Sequence, residues 1–285
     1  MNNIGRLLVR CDDKPGIVAA ISAFFENLTA NITALDQHAT DAQGGCFFLR
    51  LEFQMPELAI SQIELERNFE REVAARFKMQ WHISYSSQRL RTVLLVSRHD
   101  HALLELLWLW KKQELEMDIV GVVSNHPDLK GAVRYFDIPF IHIPVLAATK
   151  AAAEAQLLEL IKDKVDLIIL ARYMQILSAD FVAHFSEKII NIHHSFLPAF
   201  IGADPYQQAY DRGVKIIGAT AHYVTADLDE GPIIHQEVAA VSHKYAVDDL
   251  RRLGRSLERH ALAQAVRWHL EDRIIVDNHK TIVFN

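Results

Sequence analysis

The first third of the chain alternates short apolar runs with helical patterns. RLLVRC stops at DDKPG, where Asp, Pro and Gly signal a turn. IVAAISAFFENL then places Ile17, Ala20, Ile21, Phe24, Phe25 and Leu28 at helical spacing. NITALDQHAT and GGCFFLRLEF read as strands, the second entered through Gly44 and Gly45. SQIELERNFEREVAARF carries Ile63, Phe69, Val73 and Phe77 roughly in line, and MQWHISYS alternates as a closing strand. This βαββαβ order predicts a ferredoxin-like domain.

SSQRLR is a polar, charged joint at residues 86–91. It divides the chain into residues 1–88 and 89–285. Beyond it, continuous apolar strands alternate with helices: TVLLVS before HALLELLWLWKKQEL, MDIVGVVSN before HPDLKGAVRYFD, FIHIPV before AATKAAAEAQLLELIKD, VDLIILA before SADFVAHF, and then KIINIHHS. Such strands predict an α/β domain with a mostly parallel sheet covered on both faces. IIGATAHYVT, PIIHQEVAAV and a long helix, AVDDLRRLGRSLERHALAQAVRWHL, follow. RIIVDNHKTIVF reads as a hairpin with Asp277 and Asn278 in its turn.

A length of 285 residues suits one large or two ordinary domains. The net charge of -6 argues against a nucleic-acid partner, which selects for basic patches. Apolar runs such as LLELLWLW are too short to span a bilayer. MNNIGRLLVRCDDKPG has no apolar stretch of signal-peptide length. Cys11 and Cys46 form no CxxC, so reduced thiols are expected. A cytoplasmic protein is the expectation, with neither a membrane nor a nucleic acid as partner.

Open α/β sheets bind ligands beyond the carboxyl ends of their strands. Asn191 and His193 stand where KIINIHHS ends, and alternate strand residues share a face. By itself an N-x-H is weak, since a strand end and a hydrogen-bonded loop histidine would look the same. His194 points the other way and reads as structural. Asp229 lies in the turn-forming TADLDEGPII, after a strand that aims at the same end of the sheet if it is parallel. His222, inside that strand, reads by itself as an internal, satisfied histidine. Met174, Ile176 and Leu177 follow VDLIILA and suit either an apolar ligand wall or the start of a helix. The 15 histidines show no metal-binding spacing, so no metal is expected. SRHDHALL has no glycine with which to cradle a phosphate.

NIHHSFLPAF, LARYMQIL, IIGATAHYV and DLDEGPII, in that order, resemble the formyltransferase fold family. That family includes glycinamide ribonucleotide formyltransferase, which works on 10-formyltetrahydrofolate. The resemblance covers about residues 90–280 and implies a catalytic trio at Asn191, His193 and Asp229. It also implies a helper at His222. The implied pteridine site is Met174, Gln175, Ile176 and Leu177, with the segment through Asp227 that leads to Asp229. DDKPGIVAAISAFF resembles the opening of an ACT domain and implies an amino-acid effector site at Asp13, Gly16 and Ile17. An ACT module joined to a formyltransferase fold is the arrangement of formyltetrahydrofolate deformylases, and the resemblance to that family spans nearly the whole chain. It implies hydrolysis of 10-formyltetrahydrofolate to tetrahydrofolate and formate, with water as acceptor and no cofactor besides the substrate. It further implies formate supply to purine synthesis, balance of the one-carbon folate pool, and a homo-oligomer of four or more subunits. The chain departs from the transferases at SRHDHALL, which replaces a Gly-rich phosphate loop. It also departs at His194, which replaces a proline, and at Gln175, which replaces an arginine. Transfer of the formyl group to an amine, and a non-catalytic sensor of folate and amino acid, remain the competing expectations.

Overall fold

A computed structural model describes residues 4–41, 44–55, 60–198 and 205–285. The chain forms two compact units, one of Met1–Arg89, Glu271–Ile275 and Ile282–Asn285, the other of Leu90–Leu270 and Val276–Thr281. The strands of the terminal hairpin thus count partly with the first unit.

The first unit runs β1 (Ile4–Asp12), α1 (Ile17–Asn27), β2 (Asn31–Ala39), β3 (Cys46–Gln54), α2 (Gln62–Phe69) and, through a π-helical turn at Glu70–Ala74, α3 (Ala75–Phe77), then β4 (Gln80–Tyr85). Its sheet is antiparallel in the order β2-β3-β1-β4. This is the βαββαβ arrangement that the periodicity predicts. Alternation explains the core: Leu7, Val9, Leu49, Leu51 and Phe53 point inward against Ile21, Phe25 and Phe69 from the helices. The Phe25 and Phe53 rings lie 4.5 Å apart. Arg50, 5% exposed, donates from Nε to Asp272 O and from Nη2 to Glu271 O, both at 2.8 Å. A buried guanidinium needs such partners, and here it ties the returning C-terminal segment to β3. Cys11 and Cys46 are free thiols.

The second unit contains β5 (Leu90–Val96), α4 (His101–Lys111), β6 (Met117–Ser124), α5 (Lys130–Arg134), β7 (Phe140–His142), α6 (Lys150–Ile161), β8 (Leu167–Leu170), α7 (Ala179–Ala183), β9 (Ile189–His193), α8 (Pro205–Asp211), β10 (Ile216–Tyr223), β11 (Ile233–Ala240) and α9 (Val247–Leu270). The strand order is β11-β10-β9-β8-β5-β6-β7. β5 through β9 are parallel, β10 runs antiparallel to β9, and β11 runs antiparallel to β10. Residues of α6 and α7, including Leu157, Ile161 and Phe181, pack on the face that presents Val93, Leu95, Ile168 and Ile189. α9 packs against β9, β10, β11 and α4.

Three local expectations change. HPDLKGAVRYFD makes only the five-residue α5, because Asp137 adopts a left-handed φ of 57° and stops the turn. α8 went unanticipated, being a seven-residue helix that opens at Pro205 inside a loop-like sequence. The closing hairpin pairs β12 (Ile274–Asp277) with β13 (Lys280–Val283), so its turn is Asn278 and His279 rather than Asp277 and Asn278. Asn278 takes the left-handed φ of 57° that this turn needs.

Candidate active site

β9 carries its side chains from core to cleft along one face. Ile189 is fully buried against the α6 and α7 side. Asn191 and His193, two and four residues on, share that face and reach past the core. Antiparallel pairing sets His222 directly opposite Asn191 and Thr220 opposite His193. The loop after β10 therefore leaves beside Ile189, with Val224 N donating to Ile189 O at 2.9 Å. That differs from the parallel strand considered above. Asp229 arrives instead by a loop that folds back over the sheet face.

The turn that returns Asp229 needs Gly231. Tyr223 N donates to Pro232 O at 3.0 Å, closing the loop. A Cβ on Gly231 would sit 1.7 Å from Tyr223 O, so only glycine fits. Asp229 itself adopts φ 57°, a left-handed conformation that short polar side chains tolerate. Local strain of this kind concentrates at functional sites.

The three implied catalytic groups converge. His193 Nδ1 lies 3.2 Å from Asp229 Oδ2. Asn191 Nδ2 lies 3.2 Å from His222 Nε2, and His222 Nδ1 donates to Tyr223 O at 2.9 Å. With Nδ1–H donating to that carbonyl, the Nε2 lone pair is the atom left to accept from the Asn191 amide. One amide hydrogen of Asn191 is then fixed on His222 and the other is directed elsewhere. His222 Nε2 is 3.7 Å from Asp229 Oδ1, an electrostatic approach beyond hydrogen-bond range. The His193 hydrogen bond, with His222 nearby, holds the Asp229 carboxyl well below the usual carboxylate range. His193 is 8% exposed, and its Nε2 is buried with no hydrogen-bond partner. A buried nitrogen without a partner is costly.

These groups stand in a cleft of about 320 Å³ that Met174, Gln175, Ile176, Leu177 and Asp227 also line. Met174, Ile176 and Leu228 are 53%, 56% and 59% exposed, an apolar rim open to a flat guest. Residues 171–177 are held by a buried polar knot at the ends of β5 and β6. Ser97 Oγ donates to Asn125 Oδ1 at 2.7 Å and accepts from Met174 N at 3.0 Å, while Ser97 N donates to Arg172 O at 3.2 Å. Arg172 has φ 65° and lines the cleft. The sequence reading passed over Arg172 and Leu228. Arg172 lies two residues before Met174 and Leu228 lies between Asp227 and Asp229, and the fold brings both to the cleft. No group of three or more His, Cys, Asp or Glu among the described residues is arranged to hold a metal ion.

The formyl transferase family model matches residues 90–266. A formyltetrahydrofolate deformylase from Mycobacterium bovis is 52% identical over 99% of this chain and 91% of its own length. One from Bacillus subtilis is 50% identical over 99% of this chain and 94% of its own. The chain belongs to the formyltetrahydrofolate deformylase family. The crystal structure of a formyltetrahydrofolate deformylase from Pseudomonas syringae pv. tomato superposes with a TM-score of 0.96 at 43% identity, covering 100% of this chain and 95% of that one.

In this deformylase-family chain His194 stacks on His193 at 5.2 Å. Burial, then the nearby Arg172 guanidinium, pushes the His194 imidazole down to about 4, so it is neutral at neutral pH. In the first unit, Asp13, Gly16 and Ile17 line a separate cavity of about 310 Å³ with Lys14, Gln37 and Phe47. Gly16 sits at the start of α1 with φ 91°, a conformation open to glycine at no steric cost.

Proposed function

We propose that the cleft hydrolyses 10-formyltetrahydrofolate to tetrahydrofolate and formate. The observation that carries this reading is the meeting of the Asn191 amide, the His193 imidazole and the Asp229 carboxylate beside one apolar-rimmed cleft. The pteridine lies against Met174, Ile176 and Leu228, and Gln175, Leu177 and Asp227 complete the wall. The formyl carbon then faces the buried Nε2 of His193.

The chemistry follows from which atoms are already committed. Asp229 holds its charge too firmly to be an effective base, so it orients His193 through Nδ1. His193 Nε2 takes a proton as water adds to the formyl carbon, forming the C–O bond. The oxygen of the tetrahedral intermediate accepts the free N–H of Asn191. His193 then passes its proton to N10 as the C–N10 bond breaks. Tetrahydrofolate carries that proton on N10, and the formic acid released gives up the second proton of water to solvent and leaves as formate.

Water is the acceptor because the loop after β5 offers no glycine-lined phosphate cradle. His99 and His101 line the space there. Transfer to an amine is the competing reading. Purified protein with 10-formyltetrahydrofolate and no amine decides between them: equal yields of formate and tetrahydrofolate support hydrolysis. Turnover that needs an added amine identifies a transferase, and binding without turnover identifies a sensor. The released formate supplies purine synthesis and balances the one-carbon folate pool in the cytoplasm.

The cavity at Asp13, Gly16 and Ile17 takes an amino-acid effector, with the carboxylate toward the start of α1 and the ammonium toward Asp13. The molecule works as a homo-oligomer of at least four subunits. Calorimetry with the common amino acids, and sedimentation of the pure protein, test these two parts separately.

A further inference from the structure

A second cavity, of about 190 Å³, shares His194 and Arg172 with the catalytic cleft. Glu258, His101, Tyr206 and Arg255 form its other walls, and Arg251 stands beside them. Glu258 is 1% exposed, and its carboxylate is fully engaged. It meets His101 Nε2 at 2.8 Å, accepts from Tyr206 OH at 2.9 Å and lies 3.3 Å from Arg172 Nε. Its charge is thus shared between His101 and Arg172. Arg251 pairs with Asp248 at 2.9 Å. Arg255 has no ion-pair partner among the described residues, and its guanidinium leaves the cavity with surplus positive charge. His101 Nε2 donates to the Glu258 carboxylate, so the guanidinium of Arg255 is the group that suits this small cavity to a small anion.

We propose that this cavity is the formate subsite, where the anion lodges after it leaves the reacting centre. The proposal rests on the hydrolysis reading. Formate forms beside the Asp229 carboxylate, and two like charges in one small site repel. Arg172 lines both spaces and offers the nearest positive charge. From the buried Glu258 the cavity runs to the exposed Arg255. Arg172 and His194 stand between the two spaces, so formate that moves past them reaches solvent at Arg255 without crossing the pteridine wall.

Sodium formate added to the full-length enzyme, with ionic strength held by sodium chloride, tests this. Formate held outside the pteridine cleft lowers kcat at saturating 10-formyltetrahydrofolate. Arg255→Gln raises the formate inhibition constant at least about fivefold, while kcat/KM without formate stays within about twofold. Arg255→Lys restores most of the inhibition. Purely competitive inhibition, or an unchanged constant in R255Q, overturns the assignment. So does inorganic phosphate inhibiting more tightly than formate with the same dependence on Arg255, which would make the cavity a phosphate site. Line broadening of ¹³C-formate by the protein separates this proposal from the reaction. Broadening lost in R255Q supports the subsite even in a preparation without turnover, whereas turnover without broadening leaves hydrolysis standing and removes the subsite.

Discussion

Asn191 and His222 are directly paired residues on antiparallel strands, and the amide nitrogen of one lies 3.2 Å from the imidazole Nε2 of the other. The pairing orients the amide, because His222 is anchored through Nδ1 to Tyr223 O. His222 thus acts through Asn191. His222→Ala should lower kcat by about tenfold and move KM little, since the oxyanion donor survives without its orientation. The double variant with Asn191→Ala should be no slower than Asn191→Ala alone. A further tenfold loss in the double variant would show that His222 has a separate role.

Loss of a single oxyanion donor costs about a hundred- to a thousandfold in kcat. Asn191→Ala is expected to fall in that range while remaining folded. Asp229→Asn is the sharper probe, because asparagine also tolerates the left-handed φ of 57° found there. The backbone is kept and the charge that orients His193 is lost. Purified D229N with ordinary steady-state turnover would refute the assignment.

The apolar rim should govern binding and leave the chemistry alone. Ile176 is 56% exposed in the free protein. A pteridine stacked on it would bury several methyl and methylene groups at about 0.8 kcal/mol each. Ile176→Ala should therefore raise KM about five- to thirtyfold with kcat nearly unchanged. A fall in kcat with constant KM would place Ile176 against the reacting centre rather than the ring.

Much of this site was legible because its parts are local in sequence. The i, i+2 relation of Asn191 and His193 follows from strand geometry alone. Met174 to Leu177 follow a fully apolar strand, and their place beyond its end was readable. What sequence could not show was how Asp229 arrives. That depends on β10 running antiparallel and on Gly231 clearing Tyr223 O, a contact across eight residues. Glu258 and Arg255 lie on α9, some sixty residues beyond the His193 motif, with no periodic signal separating them from an ordinary amphipathic helix. Their meeting with Arg172 is purely tertiary.

Asp229 also makes a testable contribution to stability. Its folded carboxyl is held below the unfolded value near 3.9 by its hydrogen bond to His193. A depressed acid contributes stability fully above its unfolded value and loses it as pH falls toward the folded one. Wild type and D229N should therefore differ by a constant amount in urea denaturation from about pH 5 to 8. The difference should narrow only below about pH 4. A gap that already closed between pH 7 and 5 would mean that a histidine, not Asp229, carries the effect.

His194 should give the opposite window. Burial and Arg172 bring its folded value down to about 4, whereas an unfolded histidine titrates near 6.5. Above pH 6.5 neither state binds the proton, and His194 contributes no slope. Between pH 6.5 and 4 the unfolded chain takes up a proton that the folded site refuses, so stability falls as the solution is acidified. Below about 4 both states are protonated and the slope from this residue vanishes. His194→Asn removes the titrating ring and should flatten that limb by about one proton. Denaturation at half-unit pH steps, with wild type beside the variant, reads the slope directly. Parallel limbs in the two proteins would show that His194 is already charged in the fold, and would remove the neutral ring from the wall shared by the cleft and the anion cavity.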